Sequence, residues 1–412
     1  MSARRFEWST PAAVAAAIRA WAAAEAEPVD VNEIERAVRE RGDDALLELT
    51  ARYDATETPP QGLRVDPADA EKALRDAEPD LREALAAAAA NIRAVAEAQP
   101  AEDRRVELPQ GHTVEVLEVP VGAAGVYAPG GRAAYPSSVL MACIPARVAG
   151  VDRIALCSPP GADGELNPAV LAAAALCGVE EIYAVGGAQA VFALARGTES
   201  IRPVDVIAGP GSAWVVAAKR AVYGEVGVDT LAGPSELMIV GGHDTRVAWA
   251  ALDLRAQAEH GPDSPLVLAA VEEAWLEEVG SAVGETASPL ALVHVPDLAD
   301  AIALANDLAP EHLQLMSSDA LALAPHVRTA GCVFLGQLAG TAFGDYAAGS
   351  NHVLPTGGAG RFSGPLGPGT FRRRISNVTL TAASAAALAP HVDALARAEG
   401  FPVHGESARS RS

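Results

Sequence analysis

The sequence predicts an α/β protein with two doubly wound, incomplete Rossmann-like parallel-sheet domains, a helical N-terminal segment and a small C-terminal helical tail. The chain of 412 residues is too long for one core of ordinary size, so at least two domains are expected. Helical periodicity prevails up to about residue 100, and alternating, β-branched segments begin near Val106. From Gly125 onward, apolar strand patterns alternate with helical patterns, which is typical of parallel sheets with helical crossovers.

The strands and helices follow one another in two series. In the first series, four strands lead through glycine- or proline-containing turns into helices, and their segments are GVYAP, RIALCSPPG, EIYAVGG and DVIAGPG. In the second series, the strand segments are SELMIVGG, PLVLAAV, LALVHV, LQLM and CVFLG. A glycine- and proline-rich stretch over residues 344–369 then predicts a long loop, which in a compact domain is more often functional than idle. A helical tail closes the chain.

The charge and the cysteines exclude several classes of protein. The formal net charge is −22, from 31 basic and 53 acidic side chains, whereas a nucleic-acid-binding protein needs a basic face. The four cysteines lie far apart, without a CxxC pair, and predict buried free thiols in a reducing compartment. Arg19 interrupts the apolar run near the N-terminus, so no signal peptide is expected, and no apolar stretch has the length of a membrane span. We therefore expect a cytoplasmic protein that binds neither nucleic acid nor membranes.

Three glycine-rich turns follow strands of the first series, in the segments VYAPGG, AVGGAQA and AGPGSAW. Open α/β sheets bind ligands at the carboxyl ends of their strands, and each of these turns opens a helix whose free N–H groups favour an anion such as a pyrophosphate. No turn has the full GxGxxG pattern, so the support for a nucleotide is weak, and a simple tight turn is the alternative for each one taken alone. Three such turns on one edge favour a binding site.

The segment DLRAQAEHGPDS ends a predicted helix with polar side chains. Gln257 and His260 are three residues apart, so they lie on one helical face and can reach a common point. Helix capping is the alternative, because a histidine near a helix C-terminus complements the dipole and Gly261-Pro262 is a stop signal.

In the segment APEHLQLM, Glu311 and His312 stand side by side just before a strand, where a turn can direct both into one cleft. A glutamate beside a histidine can supply a base that activates water and a proton acceptor. A surface helix terminus with two polar residues is the alternative.

Asp345 and His404 complete the set of candidate residues. An aspartate in a glycine-rich loop is usually a turn residue, and a histidine near a C-terminus is usually solvated. If both met Gln257 and His260, two imidazoles, a carboxylate and a carboxamide would suit a divalent ion, zinc above all. The spacing is not that of a standard zinc motif, so the residues alone leave a metal site open.

The assembled motifs resemble those of the histidinol dehydrogenase family. They are, in order, GVYAPGGRAAYPSSVLMACIPARVAGV, VGGAQAVFALARGTESI, GPGSAWVVAAKRAVYGEVGVDTLAGPSE, DLRAQAEHGPDS, APEHLQL and GDYAAGSNHVLPT. The likeness covers roughly residues 28–404, nearly the whole chain. The segments LAGPSE, QAEH, PEHL and NHVLPT together make it highly specific.

The resemblance implies a zinc- and NAD-dependent enzyme of histidine biosynthesis that oxidises L-histidinol through L-histidinal to L-histidine and reduces two NAD. By position, one zinc ion per subunit would be held by Gln257, His260, Asp345 and His404. The last of these ligands would come from the partner subunit of a homodimer. Glu311 would activate water to attack the aldehyde, and His312 would transfer protons.

The resemblance also implies the binding residues and the domain boundaries. The substrate-binding positions are Ser235, Gln257, His260, His312, Asp345, Glu399 and His404, and the cofactor-binding positions are Tyr127, Gln189 and Ser212, one on each glycine-rich turn. We expect an N-terminal helical segment at 1–27, a zinc-binding catalytic domain at 28–109 plus 236–365, an NAD-binding domain at 110–235, and a tail at 366–412 that contributes to the partner subunit's site.

Two departures from the family pattern and three alternatives accompany this interpretation. Ser212 stands where the family usually has asparagine, and the segment between His260 and LALVHV is shorter by about a dozen residues, roughly one helix. A related dehydrogenase of another small alcohol, such as a sulfonated propanediol, is one alternative, although Glu399 and His404 favour histidinol. A zinc hydrolase is another, which NAD binding would exclude. A non-catalytic homologue is the third, and the intact Glu311 and His312 argue against it.

Overall fold

The computed structural model describes residues 3–22, 29–54, 62–130 and 133–412, and in them the chain forms two six-stranded sheets and one three-stranded sheet. The strands are β1 (Arg4–Phe6), β2 (Arg64–Val65), β3 (Arg104–Glu107), β4 (Thr113–Pro120), β5 (Ala123–Tyr127), β6 (Arg153–Ser158), β7 (Glu181–Ala184), β8 (Val206–Ala208), β9 (Gly227–Val228), β10 (Leu237–Gly241), β11 (Leu266–Ala270), β12 (Leu290–His294), β13 (His312–Leu315), β14 (Cys332–Leu335) and β15 (Arg372–Thr379).

The helices alternate with the strands through most of the chain. They are α1 (Pro11–Ala22), α2 (Asn32–Tyr53), α3 (Pro67–Asp76), α4 (Pro79–Glu97), α5 (Pro136–Ala149), α6 (Pro168–Leu176), α7 (Gly187–Arg196), α8 (Ala213–Val222), α9 (Val247–Ala258), α10 (Glu273–Val283), α11 (Leu298–Leu308), α12 (Ala320–Leu323), α13 (Thr341–Tyr346), α14 (Ala382–Glu399) and α15 (Pro402–Arg409). This alternation of strands and helices confirms the predicted fold class.

The first sheet has the strand order β2-β7-β6-β5-β8-β9, in which only β2 is antiparallel to its neighbour. After β5, the chain moves outward through β6 and β7 and then returns to place β8 on the other side of β5. The helices that follow β5 and β8 pack in different apolar clusters, on opposite faces of the sheet, and the edge between them is the usual ligand position in an open α/β sheet. Gly209 follows β8 there with a φ of 118°, and a Cβ at this position would lie 2.0 Å from the carbonyl oxygen of Tyr127. Only glycine permits this close approach.

The second sheet has the order β1-β12-β11-β10-β13-β14 and is parallel throughout. The strand order reverses at β10, because β11 and β12 follow on one side of it and β13 pairs on the other side. In this pairing Leu237 lies opposite His312. The strands β10 and β11 are buried at every residue, as expected for a parallel sheet covered by helices on both faces.

The helices before residue 100 do not all pack on the sheet that the expected domain boundaries assign to them. The structure packs α2 on α7, α3 on α6 and α4 on α5, so these three helices belong to the core of the first sheet, whereas residues 28–109 were expected with the second. The N-terminal elements, expected in a separate helical segment at 1–27, join the second sheet, because β1 pairs with β12 and α1 packs on α11. The reason is burial: Leu46 and Leu49 share one apolar cluster with Phe192 of the first sheet's helices. The other domain boundaries stay a prediction.

The third sheet joins two strands from residues 104–120 to β15 near the C-terminus, and the helical tail follows β15. In this antiparallel sheet, β4 lies between β3 and β15, and all eight residues of β15 pair with β4. A helical hairpin of α14 and α15 follows, joined at Gly400, whose φ of 77° ends α14. The hairpin is the predicted helical tail. Among the helices of the described ranges, none is long and apolar enough to cross a membrane.

Candidate active site

The C-terminal end of α9 directs Gln257 into the protein. Its side chain is 2% exposed, and its Nε2 donates to Ser235 Oγ at 2.7 Å. His260 lies in the turn just after the helix and is exposed. In the part of the chain that the structure describes, its ring makes no hydrogen bond, and α9 ends just before it, as the capping alternative expects.

The parallel pairing of β10 with β13 brings Ser235 and Glu236, just before β10, beside Glu311, just before β13. The hydroxyl of Ser235 and the backbone N–H of Glu236 both donate to Glu311 Oε2, the latter at 2.8 Å. Glu311 is buried at 6% exposure, and within the described ranges its Oε1 accepts no hydrogen bond. One carboxylate oxygen is thus fixed, and the other is open.

His312 is held by the same short segment. Its backbone N–H donates to the Glu236 carbonyl at 3.1 Å, and its Nδ1 lies 3.0 Å from that carbonyl and 3.3 Å from Glu311 Oε2. Because these oxygens can only accept, Nδ1 carries a proton. Burial alone would lower the pKa of His312, but the charges of Glu311 and Asp345 outweigh burial and raise the pKa well above its usual value.

The other nitrogen of His312 faces Asp345. His312 Nε2 lies 3.3 Å from Asp345 Oδ1, within ion-pair distance but without the direction of a hydrogen bond, so this buried nitrogen is not satisfied by the described residues. Burial would raise the pKa of Asp345, but the contact with His312 and the nearby rings of His352 and His260 outweigh burial and lower it. Asp345 lies in α13 and not in a loop, so the predicted loop begins later than residue 344.

His352 joins this group to the first sheet. Its Nδ1 lies 2.9 Å from the Asp345 carbonyl, and its Nε2 lies 3.0 Å from the Oγ of Ser138, near the start of α5. Burial lowers the pKa of His352, so the ring is neutral, with Nδ1 donating to the carbonyl and Nε2 accepting from the serine hydroxyl. Since α5 follows β5, this chain of contacts sets the carboxyl edge of the first sheet against the amino edge of the second.

The three expected cofactor residues lie along the carboxyl edge of the first sheet. Tyr127 ends β5, and its hydroxyl accepts from the N–H of Gly187 at 3.1 Å. Gln189 is 1% exposed, and its Nε2 donates to none of the described residues. Ser212 is the exposed N-cap of α8, and its side chain makes no capping hydrogen bond. This edge, expected to bind the cofactor, therefore offers the donors of Gln189 and Ser212 without partners among the described residues.

Asp54, at the end of α2, is a further member of this edge that the sequence did not predict. Its carboxylate accepts from the N–H of Gly186 in the turn after β7, while its Oδ2 is buried without a partner in the described structure. Burial raises the pKa of Asp54 to about 6. No pattern around this residue distinguishes it, because α2 reaches the glycine turn only through tertiary packing.

His404 and Glu399 do not join the group within one chain. Both lie on the hairpin of α14 and α15, where both are exposed, and the ring of His404 packs against Phe401 at a centroid distance of 5.4 Å. Within the described ranges, no three His, Cys, Asp or Glu side chains lie close enough to hold a metal ion. The structure thus brings together seven of the expected or newly found groups: Ser235, Glu236, Gln257, Glu311, His312, Asp345 and, through its charge on Asp345, His260.

The chain is similar to known proteins over nearly its full length. The model of the histidinol dehydrogenase family matches residues 19–412. A histidinol dehydrogenase of Synechococcus sp. is 44% identical over 403 residues, covering 92% of this chain and 91% of that protein. One of Rhodospirillum rubrum is 46% identical over 407 residues, covering 93% and 92%.

The fold is also similar to a solved structure. The crystal structure of histidinol dehydrogenase from Elizabethkingia anophelis has a TM-score of 0.89 with this structure, at 29% sequence identity. The match covers 99% of this chain and 98% of that chain. Sequence and fold therefore lead to the same family.

Proposed function

Because this chain belongs to the histidinol dehydrogenase family and is an oxidoreductase, we propose that it oxidises L-histidinol through L-histidinal to L-histidine, with two NAD reduced. The observation that carries the proposal is the contact group of Ser235, Glu311, His312 and Asp345, in which Glu311 and His312 are buried. The family match favours histidinol over the alternative of a sulfonated small alcohol.

Glu311 and His312 supply the acid–base chemistry of this reaction. The aldehyde must take up water before it can give a second hydride, and that water must lose a proton. Glu311 Oε2 is fixed by two donors, so Oε1 is free to take the proton from water. His312 carries a proton on Nδ1, and its Nε2, which faces Asp345, takes the proton of the alcohol when the ring is in its neutral form.

The donor set beside this pair suits zinc. The Nε2 of Gln257 donates to Ser235, which leaves the carboxamide oxygen for a metal, and Asp345 and His260 add a carboxylate and an imidazole. Oxygen and nitrogen ligands of this kind are those that zinc accepts, with His404 of a partner subunit as the fourth. A bound zinc ion would hold the substrate's amine and imidazole nitrogens and so orient its alcohol carbon.

We place NAD at the carboxyl edge of the first sheet, with contacts to Tyr127, Gln189 and Ser212. The N-terminus of α7 is already occupied, since Asp54 accepts from Gly186 and the hydroxyl of Tyr127 accepts from Gly187. The N-terminus of α8, with the exposed Ser212 as its N-cap, is open by comparison. The carboxylate of Asp54 at the N-terminus of α7 disfavours a phosphate there, so we assign the pyrophosphate to the N-terminus of α8.

A homodimer with shared sites would bring His404 and Glu399 to the cleft. The third sheet and the hairpin expose a run of large apolar side chains: Val378, Leu380, Val392, Leu395, Phe401 and Val403. Exposed apolar surface of this extent is typical of a protein interface. We also infer a cytoplasmic location, which the four free cysteines, three of them buried, support.

The experiment that tests the function is an anaerobic end-point measurement of NADH absorbance, with limiting L-histidinol, excess NAD and zinc-loaded protein. We expect two NADH per L-histidinol and one per L-histidinal, loss of both on chelation, and recovery with added zinc. If folded, zinc-loaded protein forms no NADH from either compound, the proposal is wrong, and other small amino and sulfonated alcohols are to be screened.

A further inference from the structure

An ion pair behind the active site holds the segment that contacts both Glu311 and His312. The carboxylate of Glu236 is buried at 5% exposure and accepts from the N–H of Gly357 at 2.9 Å. Arg19, on α1, donates to both of its oxygens, with Nη2 and Oε2 3.0 Å apart. The N–H of Glu236 donates to Glu311, and its carbonyl contacts the N–H and Nδ1 of His312.

The same guanidinium holds the second segment of the site. Arg19 Nη2 also donates to the carbonyl oxygens of Leu308 and Ala309, the latter at 3.3 Å. Ala309 has a φ of 48°, and among the described residues it alone has a positive φ without being a glycine. This left-handed conformation is unfavourable for alanine and persists only where its surroundings fix it. Ala309 lies two residues before Glu311, so its conformation sets the direction of the chain into the catalytic pair.

We propose that Arg19 is a positioning residue for Glu311 and His312. It bridges the turn that precedes β13 to the segment that precedes β10, and in this way it fixes the distance between the backbone of Glu236 and the two catalytic side chains. The inference rests on the roles given to Glu311 and His312 in the proposed function. A guanidinium is suited to this task because its planar fork can bond two carboxylate oxygens and two carbonyls together, which a lysine cannot do.

Arg5 offers a matched control on the same N-terminal segment. It pairs with Glu273 at 2.6 Å and with Glu277 at 2.8 Å on α10, and its side chain is 44% exposed. Arg5 and Arg19 both bind this segment to elements of the second sheet, but Arg19 is 26% exposed and contacts the site. An exposed pair contributes little to stability, so Arg5→Gln is expected to leave the kinetics unchanged.

The test is steady-state kinetics of the zinc-loaded enzyme with L-histidinal, alongside Tm and circular dichroism. We expect R19Q to lower kcat about 100-fold, as for small misplacements of catalytic groups, with KM within about threefold of wild type. R5Q is expected to retain both parameters within about twofold. In R19A, free guanidinium at millimolar concentration is expected to restore kcat at least severalfold, because the Arg19 side chain is 26% exposed and its site can be reached from solvent. Equal ammonium is not expected to do so, since it lacks the planar fork of donors.

A folded R19Q with a kcat within twofold of wild type would overturn the inference. Should the Arg19 variants fail to fold, E236Q replaces them, since it keeps the backbone contacts to Glu311 and His312 while weakening the ion pair. An unchanged kcat in E236Q would equally overturn it. Two further results separate the proposals. If wild-type, zinc-loaded protein forms no NADH from L-histidinol or L-histidinal, the proposed function is wrong. If E311Q stays active, the catalytic role of Glu311 is wrong and the inference fails with it, and if E311Q is inactive while R19Q is active, only the role of Arg19 is wrong.

Discussion

The two sheets face the cleft with opposite edges, and the two edges are prepared to different degrees. The first sheet presents its carboxyl edge, where Tyr127 ends β5 and where Gln189 and Ser212 come after β7 and β8. The donors of Gln189 and Ser212 have no partners within the described ranges. The second sheet presents its amino edge, where Glu311 directly precedes β13 and His312 begins it, and both side chains contact the backbone of Glu236.

This difference shows how the two halves of the site divide their work. In the proposed reaction NAD binds and leaves twice, so its edge needs hydrogen-bond donors that the cofactor can satisfy when it binds. Acid–base groups instead need fixed positions before the substrate binds, because their contribution depends on geometry. The catalytic edge is thus formed in advance, and the cofactor edge is completed by its ligand.

The largest effect is expected on the catalytic edge, from Glu311→Gln. The amide cannot take a proton from water, so the rate of L-histidinal oxidation should fall about 1,000-fold, while binding of NADH, followed by its fluorescence, should be unchanged. If NADH binding falls as well, the two edges are not independent, and the comparison fails.

Asp54→Asn tests whether the cofactor edge contains a carboxylate whose burial destabilises the folded protein. The pKa of Asp54 is raised from 3.8 to about 6, so the folded protein disfavours the charged form above that pH. The shift of roughly two units corresponds to about 3 kcal/mol at most, and about 2 kcal/mol is realistic for a partly exposed group. We expect D54N to be more stable than wild type at pH 8, by a few degrees in Tm.

The pH dependence of the gain in Tm shows whether the charge of Asp54 is its cause. Because the acid's folded-state pKa is raised, the penalty is complete above pH 6 and fades as the pH falls toward 3.8, so the gain in Tm should shrink between pH 6 and 4. Asp44→Asn, at an exposed position of the same helix, is the control and should show no such trend. A gain that is equal at pH 8 and pH 4.5 would mean that charge is not the cause.

Gln189→Ala should give the smallest of these effects, and it tests the role of the cofactor edge most directly. The loss of one hydrogen bond to the cofactor is expected to raise the KM for NAD about tenfold, with kcat for L-histidinal little changed. Gln337→Ala is the matched control, since Gln337 bonds Arg246 and Asp244 elsewhere on the second sheet. A fall in kcat at saturating NAD would show that Gln189 also positions the reacting groups.

Much of the fold could be predicted from the sequence because the βα units are local. An apolar run, a glycine turn and a helical pattern lie within about 30 residues of one another. By contrast, β1 and β15 were not predicted, because RRF and RRRISNVT lack the apolar alternation of a half-buried strand. The packing of α2 on the first sheet depends on contacts across more than a hundred residues, for which no local signal exists.

The site residues fall into the same two groups, those with a local sequence signal and those brought together only by the fold. The pairs Gln257 with His260 and Glu311 with His312 lie close in sequence, so spacing alone made them candidates. Ser235 came only from the family resemblance, and the roles of Glu236 and His352 became visible only in the structure. Glu236 acts largely through its backbone, and His352 acts by joining two distant segments. Neither function depends on a pattern that a single sequence reveals.

The hairpin of α14 and α15 has a consequence for mixtures of defective subunits. It carries His404 and Glu399 away from the Glu311 of its own chain, so a dimer that exchanges hairpins would draw each site from two polypeptides. Two inactive variants, one altered at Glu311 and one at His404, would then complement each other. Half of randomly paired dimers would be mixed, each with one intact site, so about a quarter of wild-type activity would return on refolding them together.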